Sequence, residues 1–546
     1  MPATIQNPVL TGFNPDPSIL RVGDDYYIAT STFEWFPGVQ IHHSRDLVHW
    51  RLLTRPLDRV SQLDMRGVGD SCGVWAPCLS HDPKTGVFHL IYTVVRNRGH
   101  FKDTPNFLVT AETIDGPWSE PVFLNASGFD PSLFHDDDGR KWLVNMVWDA
   151  RADKNPFAGI FLQEYDPAQR KLIGPIKNIF RGTHLGLVEG PHLYRRKGWY
   201  YLLTAEGGTM HEHAVTLARS RSIDGPYEVH PDNPVLTADG KDHLPLRKAG
   251  HGSLVETPDG RWWLAHLCGR PVSPSGRCVL GRETAIQEVR WDDDGWLRLV
   301  QGGNTPELNV PGPDLPPHAF VEPETRDDFD GDRLGLDYQT LRIPLADDLC
   351  NVTERPSYLR LRGGESLASV YEQSHVARRI QHHTCTVETR VDFDPQHFQH
   401  AAGLTAYYDT RSFYFLAITH DETVGRCLTL YGMDAGVYHE YHGQPIPLPD
   451  DSPCDLRLQL NQGELQFSYR HGGQAWTRVG PTLDASILSD EYAQELGFTG
   501  AFAGMACLDL AGTRRPADFD HFSYQPIRTT VPGVTPTRRQ PTLNPA

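Results

Sequence analysis

Nowhere in its 546 residues does the chain carry a run of about 18 apolar residues, and Met1 to Pro8 hold neither a basic stretch nor an apolar core of leader length. The expectation is a soluble cytoplasmic protein with no membrane partner. Positive charge is in deficit: 51 Lys and Arg stand against 69 Asp and Glu, a net charge of −18. That sign opposes the counterion release that drives nucleic-acid binding, so no nucleic-acid partner is expected and a neutral substrate is favoured. The nine cysteines form no C-x-x-C pair, which fits reduced thiols better than a disulfide or zinc framework. In that compartment the N-x-S/T triplets at Asn125 and Asn351 carry no meaning. Long stretches of 3.6-residue periodicity are also missing, while Gly (49) and Pro (43) are plentiful. An all-β chain is the reading that remains.

What is present is repetition. Asp16-Pro17-Ser18-Ile19-Leu20, Ala76-Pro77-Cys78-Leu79-Ser80, Asp130-Pro131-Ser132-Leu133-Phe134, Gly190-Pro191-His192-Leu193-Tyr194 and His251-Gly252-Ser253-Leu254-Val255 align. They recur at intervals of about 60 residues, and each is followed by a turn and an aromatic second strand. Five such units predict a five-bladed β-propeller over residues 1–322. Six prolines (306, 311, 313, 316, 317 and 323) then break the pattern. Alternating strands follow, among them Leu456–Leu460 and Leu465–Tyr469 around the turn Asn461–Glu464. They predict an antiparallel β-sandwich over 323–527, with 528–546 as a tail.

The first strand of every propeller blade lines the axis, so matching positions of the repeats share one pocket. Their occupants, at or one residue before the aligned position, are Asp16, Trp75, Asp130, Glu189 and His251. Blades one and four lie two steps apart in a five-fold ring, which sets Asp16 across the channel from Glu189, whereas Asp130 neighbours Glu189. Two carboxyls about 6.5–9.5 Å apart across a sugar can hydrolyse a glycosidic bond with inversion. Asp16 is therefore assigned as general base, Glu189 as general acid and Asp130 as the group that raises and orients the acid. Trp75 suits a sugar's apolar face. His251 is balanced between a structural role and a substrate or cation contact. His211 and His213, read as one face of a strand, suggest a structural role ahead of a metal site, no third ligand being evident. The aromatic run Phe33–Pro37 fits either core or pocket rim.

At these residues the chain resembles the bacterial β-xylosidases of glycoside hydrolase family 43. The likeness is carried by Asn14-Pro15-Asp16-Pro17-Ser18, Val74-Trp75-Ala76-Pro77, Gly128-Phe129-Asp130-Pro131-Ser132, Glu189-Gly190-Pro191-His192 and Leu280-Gly281-Arg282-Glu283-Thr284-Ala285. The resemblance implies an inverting exo-hydrolase that removes xylose from β-1,4-xylooligosaccharides or aryl xylosides, with the same three roles for Asp16, Asp130 and Glu189. It implies substrate contacts at Phe33, Trp75, Trp148, Thr209, His251 and Arg282, and a lectin-like sandwich that sends Phe498 over the pocket. It also implies a homo-oligomer, dimer or tetramer. No cofactor is required; at most a divalent cation such as calcium would lie near His251. Arabinofuranosidase activity, secondary or dominant, and a non-catalytic carbohydrate-binding propeller are the alternatives. Three departures stand out: Gly252 where alanine is usual, Cys72 where glycine is common, and a short Pro271–Cys278 segment, which bears on contacts to the leaving-group sugar.

Overall fold

The computed structural model describes residues 3–527 apart from 274, 450, 451, 494 and 496, so the tail expected at 528–546 lies outside the described residues. Each sequence repeat folds into one sheet of antiparallel strands. Blade one comprises Ser18–Val22, Asp25–Thr30, Gln40–Ser44 and Arg51–Thr54, and blade two begins with Gly73–Asp82 and Val87–Val95. Blades three, four and five begin with Ser132–His135, Glu189–Arg196 and Arg247–Glu256. These first strands touch one another in ring order, and the fifth returns to the first. The ring is fastened at the N-terminus, where Thr4–Gln6 pairs with Asn309–Pro311 and the Asn7 side chain bonds both the N–H and the carbonyl of Ile286 in blade five.

Local chemistry explains the repeat. The tight turn after each first strand carries a glycine at positive φ (Gly23, Gly86, Gly139, Gly198 and Gly260), where a residue without Cβ reverses the chain at least strain. At the other end of that strand the aligned residues Asp16, Ala76, Asp130, Gly190 and His251 are all left-handed too, with φ between 33° and 56°. Four of the five are not glycine. Such a conformation costs about 1–2 kcal/mol for an L-residue, and it recurs where chains are bent to present a side chain.

The C-terminal strands build an eight-stranded sheet packed on a seven-stranded one. Thr384–Phe393 alternates buried and half-buried residues along its whole length, the period-two pattern of a sheet with one face in the core. The predicted hairpin forms, with Asn461 paired to Glu464. Propeller and sandwich share a core cluster that runs from Phe13, Phe33 and Trp35 to Tyr407, Phe413 and Phe502. Trp35–Phe36 pairs with Thr340–Leu341, and the Trp35 indole stacks on Phe502 at 3.7 Å between centroids. Sandwich Arg342, fully buried, donates to the carbonyl of Val68 and to Asp70 of the propeller.

Candidate active site

On the propeller axis lies a small cavity lined by Asp16, Phe33, Trp75, Phe129, Asp130, Glu189, Thr209, His213, His251, Arg282 and Phe498. The five axial residues of the repeat are all here, as are Phe33, Thr209, Arg282 and Phe498.

Trp148 is the exception among the expected contacts. The strand shifts register between Met146 and Trp148, and the indole stands behind Phe129, 6.4 Å between centroids, with its N–H on the carbonyl of His100. Phe129 takes the place on the cavity wall. The His211/His213 pair is also corrected: the two do not share a strand, which starts only at Ala214. Both lie in the irregular segment that Gly207 and Gly208 open at positive φ. His211 bonds Arg247, whereas His213 faces the cavity. Phe129 precedes the aligned Asp130 as Trp75 precedes Ala76 and Glu189 precedes Gly190, so the repeat carried an unread signal for it, whereas nothing in the spacing pointed to a cavity-lining His213.

The three carboxyls sit in one buried volume, each less than a tenth exposed, yet their surroundings differ. Burial would raise Asp16, but Arg282, then His251 and the Ser31 hydroxyl, outweigh it and hold the carboxylate below its usual value. Arg282 Nη1 lies 3.2 Å from Asp16 Oδ1, and Ser31 Oγ donates to Oδ2 at 2.6 Å. Asp130 is pushed up to about 8, by burial first and Asp16 second. Glu189 is raised well above its ordinary range by burial, then by Asp130 and Asp16. The N–H of Gly190, next after Glu189, donates to Asp130 Oδ2 at 3.0 Å, so those two residues are physically tied. The arrangement thus pushes Asp16 toward its ionised form and Glu189, with Asp130, toward the protonated form within one pocket, the contrast that acid–base hydrolysis uses.

Aromatic rings form the apolar walls. Phe498, reaching over from the sandwich, stacks on Phe33 at 5.6 Å and meets Trp75 edge-on at 5.2 Å. The Arg282 guanidinium lies over Phe33 and Phe498 and donates to the carbonyl of Phe498. His251 Nδ1 is 3.8 Å from Asp16 Oδ1, and burial lowers its pKa against the opposing pull of Asp16. A calcium ion takes about 6–8 oxygen ligands. Near His251 the donors are an imidazole and a carboxylate already held by Arg282 and Ser31, and the described residues include no group of three or more His, Cys, Asp or Glu that could hold a metal. That donor set does not fit calcium. A Cβ on Gly252 would meet Leu264 Cδ1 at 2.6 Å, so an alanine there would require the Leu264 side chain to shift.

Residues 5–297 match the model of glycosyl hydrolases family 43, and residues 326–525 match the beta xylosidase C-terminal Concanavalin A-like domain. The chain is 54% identical over 532 residues to Xylosidase/arabinosidase 43B of Humicola insolens, covering 96% of this chain and 98% of that one. It is 51% identical to Beta-xylosidase of Bacillus subtilis (strain 168), covering 95% and 99%. Among solved structures, xylan beta-1,4-xylosidase from Bacillus halodurans C-125 superposes with a TM-score of 0.94 at 57% identity, covering 95% of this chain and all of that one. With the axial carboxylates, the apolar walls and the two domain matches in agreement, the chain belongs to glycosyl hydrolases family 43.

Proposed function

We propose that the chain is an inverting exo-β-xylosidase that releases xylose from the non-reducing end of β-1,4-xylooligosaccharides. The observation that carries this reading is the convergence of Asp16, Asp130 and Glu189 on one aromatic-walled cavity under Phe498, with Arg282 paired to Asp16 alone of the three. The terminal sugar sits against Trp75, Phe33 and Phe498, with hydroxyls toward Arg282, His251 and Thr209. Glu189 gives its proton to the glycosidic oxygen as the bond to the anomeric carbon breaks. Asp16 takes a proton from a water that attacks the same carbon from the opposite face, so the released xylose has the α configuration. Asp130 keeps Glu189 protonated and returns no atom to the product. A cavity closed by Phe498 admits a chain end and not a chain interior, which supports exo-action.

A second reading, dominant α-L-arabinofuranosidase activity, is supported by the name of the Humicola insolens relative. The Vibrio relative, 48% identical, is called Xylan 1,3-beta-xylosidase, which leaves linkage as a property to measure. Nitrophenyl β-xyloside and α-L-arabinofuranoside assayed side by side rank the activities, and xylobioses of either linkage rank the bonds. Proton NMR during turnover reads the anomer: α-xylose appearing first is expected, and β-xylose appearing first overturns the inverting mechanism. We further propose that hydrolysis needs no cofactor; activity that disappears with chelator and returns with calcium would refute it.

A further inference from the structure

Ser71 stands in the loop before the first strand of blade two, 2% exposed and left-handed at φ 56°. Each of its polar groups reaches a different part of the pocket's support. Its N–H donates to Glu34 Oε2 at 3.1 Å. Its carbonyl accepts the indole N–H of Trp75 at 3.1 Å. Its hydroxyl oxygen accepts the backbone N–H of Phe498 at 3.1 Å, across the domain boundary. We propose that Ser71 is a positioning residue of the glycosidase site, a latch that holds the sandwich's Phe498 against the propeller's Trp75.

The backbone conformation supports this reading. Two residues on, Gly73 is also at positive φ, and there a Cβ would fall 2.2 Å from the Phe33 carbonyl oxygen, whereas the Ser71 site has room for a side chain. Ser71 keeps a Cβ in a region that disfavours it, and the hydroxyl is what that Cβ carries. The next peptide of the lid is held as well. The Phe498 carbonyl accepts from Arg282 at 3.1 Å, and a Cβ on Gly497 would fall 1.9 Å from the Tyr408 hydroxyl. Blades two and five therefore hold the N–H and the carbonyl of one residue, Phe498, and Ser71 supplies the hold from blade two. Next to it, Asp70 accepts from Arg342 and from Thr410 of the sandwich. The proposal rests on the reading that this pocket binds a terminal sugar.

Ser71→Gly removes the hydroxyl, keeps the N–H and carbonyl ties to Glu34 and Trp75, and suits the left-handed backbone. It should melt within about 5 °C of wild type. Losing one net hydrogen bond from the closed lid is worth roughly 2- to 12-fold. KM for nitrophenyl xyloside should rise by that factor while kcat stays within about twofold, the signature of lost uniform binding. In a Phe498→Ala background the same substitution should leave KM unchanged, because the group it positions has gone. An equal KM rise in both backgrounds, or none in either, overturns the latch. Ser71→Ala repeats the test with the Cβ retained. Amide exchange across Gly497–Phe502 should accelerate in Ser71→Gly whatever the substrate. Unchanged exchange overturns the latch, whereas accelerated exchange in a chain that turns over no glycoside overturns only the glycosidase reading.

Discussion

Three acidic side chains of similar chemistry are driven to different protonation states by their neighbours. Asp16 has Arg282 and Ser31 on its two oxygens, Asp130 has a single backbone N–H, and Glu189 faces other carboxyls. Asp16→Asn and Glu189→Gln should each lower kcat/KM at least about 100-fold, the lower end of general acid–base contributions. The Glu189→Gln loss should be smaller on nitrophenyl xyloside, whose leaving group departs without protonation, than on xylobiose. Equal losses on the two substrates would remove the acid from Glu189. Asp130 acts on the alkaline side. As pH rises its negative charge holds the proton on Glu189, so Asp130→Asn should move the alkaline limb of kcat/KM to lower pH. A limb that stays in place while activity falls would make Asp130 a purely geometric group. The trio was legible in the sequence because Asp16 and Asp130 repeat in register and Glu189 precedes the same position in blade four. The states of the three were not, since they depend on groups as far apart in sequence as Arg282 and Ser31.

At the scale of elements, the loops after the second strand of blade one and before the first strand of blade two bind the sandwich. Glu34 lies buried there against Asp70 and Arg342, and burial first, then Asp70, raises its carboxyl from 4.5 to about 8. A carboxyl with a raised folded pKa gives stability that is whole below its unfolded value and is lost as pH climbs toward the folded one. The slope is at most about 1.4 kcal/mol per pH unit for each such group. Glu34→Gln should therefore melt like wild type near pH 5 and above it near pH 8. A melting difference that does not grow between those pH values would show that the Glu34 carboxyl is ionised throughout. Element positions were readable wherever the two-residue period or a turn glycine marked them. They failed where a register shift intervened: the slip after Met146 accompanies a Trp148 that is absent from the cavity wall, where Phe129 stands at the repeat position shared with Trp75 and Glu189. His213 entered the cavity from a turn and not from the strand its spacing suggested.

For the whole molecule, the shared core and the reach of Phe498 make the sandwich part of the active site. Without it, Trp35, Phe36 and Phe33 lose their cover and Arg282 loses the Phe498 carbonyl. A propeller expressed alone should show no measurable xyloside hydrolysis even where it remains soluble, and the intact chain should unfold in one calorimetric transition. Two resolved transitions, or an active isolated propeller, would separate the domains energetically. By itself the sequence determined the ring of five sheets and the acidic side chains on its axis, because strand periodicity, turn glycines and repeat spacing are properties of neighbouring residues. The tertiary structure alone decided which carboxyl keeps its proton and what closes the pocket. Those outcomes come from burial, from charges and from a lid peptide that meet only once remote parts of the chain are packed together.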